Sequence, residues 1–291
     1  MQLESDETGH MSVGVQRVYV YGIIRLEEGG DGSSLPPISG LAGNPIRTVA
    51  SNGLAAIVSA LATPATGLRF EEELKSPERA RSLILDHHHV LRRTIDDRTV
   101  LPVRFGALFP DDMSVADALG EHHRDLVEAL ERVDGAREWG VKIFCDRSVL
   151  SRHLSEESPA ICAIRGELSA ATDGRAFFLR RRIARLGEEE AQHVIEQHVD
   201  SVKHSLCAAS RGESAMKLQP AAVHGRADEM VWNGALLVDR QAERHFLTLV
   251  DDLLEVHAPR GFDYEITGPW PPFSFADCRL GGRENGCSNG T

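Results

Sequence analysis

The sequence predicts an α+β fold in two domains, and three observations carry that prediction. The chain has 291 residues, a length that corresponds to about two domains. Its first half alternates strand-like and helical segments in the order βββαβαβ, the pattern of a sheet covered by helices on one side, of ferredoxin-like type. Its second half opens with a long amphipathic helical segment, 176–209, and then repeats the mixture of strands and a helix. The expected division is a disordered tail at 1–16, a ferredoxin-like α+β domain at 17–146, a helical plus α+β domain at 147–278, and a loose tail at 279–291.

In the first domain, Val18-Tyr19-Val20-Tyr21-Gly22-Ile23-Ile24 is β-branched and aromatic and reads as a buried strand. Residues 29–45, rich in Gly, Ser and Pro, read as a long mobile loop. Ile46–Ala50 and Leu54–Ala60 read as strands joined by Ser51-Asn52-Gly53. Asn-Gly between apolar runs is a hairpin signal because both turn residues tolerate positive φ. From Pro77 the period becomes helical, with Ala80, Leu83, Ile84, His87, Val90, Leu91 and Ile95 on one stripe. A strand is expected over Val100–Leu108. Ser114 with Asp117 three residues on predicts a capping box opening a second helix. Trp139–Phe144 is expected to complete the sheet of this domain.

In the second domain, residues 147–212 read as helical, broken at Thr172-Asp173-Gly174. Leu179, Ile183, Leu186, Ile195, Val199, Val202 and Leu206 form the apolar stripe of the long segment, and its charged runs (Arg180–Arg182, Glu188–Glu190) read as a solvated face. Strands are expected at Met216–Val223, Met230–Val238 and Phe262–Thr267, with a helix over Asp239–His257.

Composition narrows function. The balance of 32 basic and 44 acidic residues leaves a net charge of −12, which opposes binding to nucleic acid or anionic lipid, where cationic surface supplies most of the non-specific affinity. Five widely spaced cysteines without a CxxC pair fit reduced thiols in the cytoplasm better than a disulfide framework. The polar, acidic start MQLESDETGH lacks the character of a secretory signal, and no apolar run reaches the length of a membrane span.

Chemistry-bearing patterns are sparse. His87-His88-His89 cannot chelate one ion together, because consecutive helical positions point about 100° apart. His87 lies on the apolar stripe and is expected as a structural core histidine, hydrogen-bonded to backbone. No G-x-S-x-G, P-loop or G-x-G-x-x-G occurs, so no catalytic, metal or cofactor residue is assigned and the expectation is a protein that is not an enzyme and carries no cofactor. A metal- or cysteine-dependent hydrolase is the enzyme alternative; it requires bound metal or a thiol of depressed pKa.

Two strings stand out. In Leu101-Pro102-Val103-Arg104-Phe105-Gly106, strand alternation sets Arg104 opposite Leu101, Val103 and Phe105. Under a covering helix Arg104 needs a carboxylate partner, and the alternatives are a structural ion pair and a ligand-binding arginine. In Thr267–Phe275, prolines flank Trp270 and stiffen the backbone. A stiff aromatic segment loses little entropy on docking, either onto its own core or onto a partner. Trp270, Phe273 and Phe275 are therefore the candidate partner contacts.

Four strings in this order, Tyr19-Val20-Tyr21-Gly22-Ile23-Ile24, His87-x-x-Val90-Leu91 leading to Val100-Leu101-Pro102-Val103-Arg104-Phe105-Gly106, Glu138-Trp139-Gly140-Val141-Lys142 and Thr267-Gly268-Pro269-Trp270-Pro271-Pro272-Phe273-Ser274-Phe275, together resemble the gas vesicle protein F/L family (GvpL/GvpF) over residues 17–277. Gly174–Arg182 and Val231–Val238 resemble looser versions of its motifs. The resemblance implies two α+β domains, the first modified ferredoxin-like, and a non-enzymatic, chaperone-like accessory protein of gas vesicle assembly. Its implied partners are the hydrophobic major shell protein and other accessory proteins, and its implied location is the cytoplasm in association with gas vesicles. A minor structural component of the vesicle wall is the alternative role.

Overall fold

A computed structural model describes residues 15–26, 35, 37–63, 68–276 and 280. Residues 1–14 of the expected amino-terminal tail, all but Leu280 of the tail expected at 279–291, and 29–34 and 36 of the loop expected at 29–45 lie outside the described residues. Val15 and Gln16 belong to the first strand, and the described part of the loop holds a 3-10 turn at Leu41–Gly43 with Leu41 buried. The chain forms two compact units, one of residues 1–135 with 271–291, the other of residues 136–270.

The first unit contains β1 (Val15–Arg25), β2 (Ile46–Ser51), β3 (Leu54–Thr63), α1 (Leu68–Glu73), α2 (Pro77–Asp97), β4 (Leu101–Pro102), β5 (Leu108–Phe109), α3 (Asp112–Glu121) and α4 (His123–Val133). Its antiparallel sheet runs β2-β3-β1-β4, with β5 pairing further along β1. The β2–β3 hairpin turns through Asn52 at φ 51° and Gly53 at φ 78°, as the Asn-Gly signal predicts. Tyr19, Tyr21 and Ile24 of β1 pack with Leu83, Val90 and Leu91 of α2. Val18, Val20 and Ile23, and Ala56 and Val58 of β3, are buried as well, while α3 packs on β2 and β3. Helices thus cover both faces of the sheet, not one. This is the physical meaning of the uninterrupted apolar run in β1, since a strand exposed on one face would alternate.

Two local expectations are corrected. Helix α3 starts earlier than Ser114: Asp111 is the N-cap, accepting hydrogen bonds from the Ser114 amide and hydroxyl, each at 2.8 Å. A carboxylate is a strong cap because it satisfies free amides and faces the positive end of the helix dipole. The strand expected over Val100–Leu108 reduces to two short pairings, β4 and β5, with Gly106 at φ 95° between them. Pro102 lacks an amide to donate to a ladder, and positive φ at Gly106 turns the chain out of the strand.

The second unit contains β6 (Ala136–Cys145), α5 (Arg147–Glu157), α6 (Pro159–Ser169), α7 (Asp173–Ala208), β7 (Gly212–Ala215), α8 (Ala221–His224), β8 (Glu229–Asp239), α9 (Glu243–His257) and β9 (Phe262–Trp270). Its antiparallel sheet runs β7-β8-β6-β9. Strand β6, expected to finish the first sheet, is instead a central strand of the second. Its neighbours come from more than eighty residues downstream, and local pattern carries no information on that choice. The core joins Val141 and Ile143 of β6 to Ile195, Val202 and Leu206 of α7 and to Phe246 of α9.

Candidate functional site

His87 lies where the apolar stripe of α2 places it, 1% exposed. Its Nδ1 is 2.9 Å from the Tyr19 hydroxyl, which also accepts the Gly106 amide at 3.2 Å. A side chain of the facing strand thus joins the backbone contact expected for this ring. His87 Nε2 has no hydrogen-bond partner. Tyr21 stacks on the His87 ring, and Phe105 meets it edge-on. Burial, reinforced by His88 and partly offset by the Val103 backbone, pushes the His87 pKa down to about 4. Burial also raises the pKa of Tyr19. The ring is therefore buried and neutral at ordinary pH.

Arg104 is not a core residue. It is exposed, because the chain has left the ladder after Pro102 and strand alternation no longer applies. The buried ion pair considered for it is therefore not required.

Trp270 ends β9 in the second unit, half-buried, its backbone in register with Glu138. Phe273 and Phe275, in the first unit, are also half-buried. Phe273 packs against the core of that unit, its ring 4.9 Å from that of His88. The Phe273 amide donates to the Pro271 carbonyl at 2.7 Å, and the Phe275 amide to the Pro272 carbonyl at 3.1 Å. The prolines thus bend the segment into tight turns. Phe273 docks onto its own unit, one of the two outcomes open from the sequence.

Sequence reasoning passed over two features of the second unit. His198 of α7 is 8% exposed, with Nε2 2.8 Å from the Tyr264 hydroxyl and the ring stacked on Phe262. Its pKa is pushed down to about 4 by burial first, then by His257 and Arg260. The stripe position of His198, three residues after Ile195 and four before Val202, was the available signal.

The other feature is a sheet edge. Strand β7 ends the sheet, and the chain continues along β8 beyond it: the Met216 amide donates to the Asn233 carbonyl at 2.9 Å, and Asn233 Nδ2 donates to the Lys217 carbonyl at 2.8 Å. Met216 and Leu218 are 49% and 56% exposed along this edge. Met216–Val223 was expected to be one strand, but Pro220 caps a short helix at Ala221–His224 instead.

Two of the thiols, Cys145 and Cys207, are shifted away from the reactive thiolate. Burial pushes the Cys145 pKa up to about 11, and burial together with the Glu213 carboxylate raises that of Cys207. Activated thiols have the opposite shift. Among the described residues no three His, Cys, Asp or Glu side chains are grouped to hold a metal ion, and no helix is long and apolar enough to cross a membrane.

Comparison with known proteins agrees with this architecture and adds a family. The model of the gas vesicle synthesis protein GvpL/GvpF family matches residues 17–277. The chain is 31% identical to gas vesicle protein L of Streptomyces sp. (strain CB03234) over 267 residues, which span 89% of this chain and 92% of that protein. It is 27% identical to gas vesicle protein F of the same organism over 264 residues, 89% of this chain and 99% of that protein. In fold it is similar to the crystal structure of the gas vesicle protein GvpF from Anabaena sp. PCC7120, with a TM-score of 0.63, 19% identity, and coverage of 91% of this chain and 97% of that one. With the match running from β1 to the end of the Pro-rich segment, the chain belongs to the GvpL/GvpF family of gas vesicle synthesis proteins.

Proposed function

We propose that this chain takes part in gas vesicle formation as a chaperone-like assembly factor that binds the hydrophobic shell protein and other gas vesicle proteins. Membership of the family supports the role in vesicle formation. The observation that carries the binding reading is the sheet edge Gly212–Gln219. Its inner side is satisfied by β8, while Met216 and Leu218 project as exposed apolar side chains. An incoming apolar strand gains main-chain hydrogen bonds on such an edge and side-chain contacts at alternate positions. A subunit that will line a gas space must hide its own apolar surface and strand edges until it polymerises. An acidic partner of net charge −12 keeps that complex soluble by repulsion between copies.

The test is co-expression with the cognate shell protein, followed by affinity purification of this chain. The shell protein is expected to remain soluble and co-elute. Met216→Asp with Leu218→Asp is expected to abolish co-elution while leaving the thermal melt unchanged. Trp270→Ala probes the proposed contact at the end of β9, the opposite edge of the same sheet, and Phe275→Ala probes the one in the first unit. Failure of the wild-type chain to retain the shell protein refutes the reading. Recovery of the chain at a fixed ratio in washed, intact vesicles identifies a wall component instead.

A further inference from the structure

The amino-terminal turns of α7 carry an exposed strip with the opposite character to the rest of this acidic chain. Phe177 and Phe178 are 54% and 70% exposed. Arg181, Arg182 and Arg185 follow, all exposed. At 100° per residue these five positions fall within an arc of about 140° on one side of the helix. The opposite side, with Ala176 and Leu179, is buried. Arg181 lies over the Phe177 ring, 5.9 Å from its centroid. Arg181 and Arg182 form no ion pair with any described residue, although Arg185 pairs with Glu189 at 3.6 Å. Two exposed phenylalanines beside unpaired guanidinium groups form a surface suited to an apolar partner with carboxylates.

Helix α9 of the same unit presents such a surface. Asp251, Asp252, Glu255 and Val256 are exposed, Val256 by 67%, and the three carboxylates form no ion pair with any described residue. They too occupy an arc of about 140°. The spacings match when the helices lie antiparallel. Four residues separate the phenylalanines from Arg181 and Arg182, and four to five separate Val256 from Asp252 and Asp251, both about 6 Å along a helix. Further on, Glu188 and Glu189, which also pair with Arg147 and Arg185 of their own chain, stand seven residues beyond the arginine pair, and exposed Arg244 stands seven to eight residues before the aspartates. An apolar–cation–anion order on α7 thus faces an apolar–anion–cation order on α9.

We infer that the chain self-associates through the Phe177–Arg185 strip of α7 on one copy and the Asp251–Val256 strip of α9 on another. An anionic membrane or nucleic acid fits less well, because Glu188–Glu190 directly continue the helix and the molecule carries net charge −12. Each copy offers two different strips, so the contact is heterologous. It closes into a dimer or ring, or it propagates, according to the rotation between copies. Two short helix strips bury less than a standard interface, so association is weak, on the order of 100 μM, and sensitive to salt.

The experiment is sedimentation velocity on the full chain at low ionic strength across that concentration range. Wild type is expected to associate with rising concentration and to dissociate at about 0.5 M salt, where the Debye length falls to roughly 4 Å. R181E/R182E and D251K/D252K, each alone, are expected to weaken association about tenfold or more. An equimolar mixture of the two is expected to associate again, because the reversed strip of each meets the reversed strip of the other. Should either melt below wild type, R181Q/R182Q and D251N/D252N replace them as single-strip tests. A wild type that stays monomeric, or variants that associate unchanged, or a folded mixture that stays monomeric overturns the proposal. Loss of shell-protein capture by R181E/R182E with no change in oligomeric state also overturns it, and assigns the strip to another gas vesicle protein. Shell-protein capture at the Met216–Leu218 edge stands or falls separately.

Discussion

The Tyr19 hydroxyl lies 2.9 Å from Nδ1 of His87, and that bond ties helix α2 to strand β1. The Tyr19 oxygen already accepts the Gly106 amide, so its own buried proton needs an acceptor. Nδ1 is the acceptor within reach. The second unit repeats the device with Tyr264 and His198 at 2.8 Å. In each unit a helix is therefore fastened to a strand by a tyrosine–histidine bond inside an aromatic core.

Acid is expected to loosen both units. Each histidine has its pKa lowered from 6.5 to about 4 in the folded state, so the unfolded chain binds more protons between these values. Stability is fully present above about pH 6.5 and is lost progressively as pH falls toward 4. For fully buried His87 the loss is on the order of 3 kcal/mol. Urea unfolding measured from pH 7.5 to 4.5 is expected to show this fall, and His87→Gln to flatten the slope relative to wild type. Equal slopes refute the assignment.

Tyr19→Phe separates the hydrogen bond from the ring. The aromatic contacts with Tyr21, Phe70 and Phe105 remain, while His87 Nδ1 and the Gly106 amide each lose a partner. The expected cost is about 1–3 kcal/mol, the penalty of leaving buried polar groups unsatisfied. Chemical denaturation at neutral pH reads it as a lower midpoint with an unchanged slope.

Gly22 shows how closely the first unit is packed. A Cβ there would stand 2.8 Å from both Leu91 and Val100 side chains and 3.0 Å from the Leu101 carbonyl oxygen. The side chains can shift, but the carbonyl belongs to the β4 backbone that pairs with β1. Gly22→Ala is expected to cost about 1–3 kcal/mol, the usual range for overpacking a dense core. A melt unchanged from wild type refutes this.

Where the sequence was legible, local chemistry decided the outcome. Asn52-Gly53 specifies its turn through two positive φ values, and the 3.6-residue stripe of α2 locates His87 in the core. Where it was not, distant partners or a single backbone residue decided. The pattern of β6 reads as a strand but does not say that β8 and β9, from the far end of the chain, flank it. Arg104 sits in an apolar run that alternates correctly, yet Pro102 and Gly106 take it off the sheet into solvent. The Tyr264–His198 bond joins residues 66 apart, beyond any periodicity. Arg104→Ala accordingly is expected to change stability by less than about 0.5 kcal/mol, as for an ordinary surface substitution.

Glu243, the first residue of α9, ties that helix to β6. Its carboxylate accepts hydrogen bonds from the Arg137 guanidinium and, at 3.1 Å, from Trp139 Nε1. The side chains of Arg137 and Glu243 are only 19% and 12% exposed. A carboxylate in the first helical turn is also favoured by the helix dipole. Removing one member of a largely buried pair leaves the other charge desolvated and unmatched, which costs more than the pair contributes by being there. Glu243→Ala is therefore expected to destabilise the chain by about 3 kcal/mol, whereas Arg137→Met with Glu243→Leu, which removes both charges and keeps apolar bulk, is expected to recover much of that loss. Denaturation of the single and double variants measures both, and a double variant no more stable than Glu243→Ala would show that the pair itself, rather than the orphaned charge, holds α9 in place.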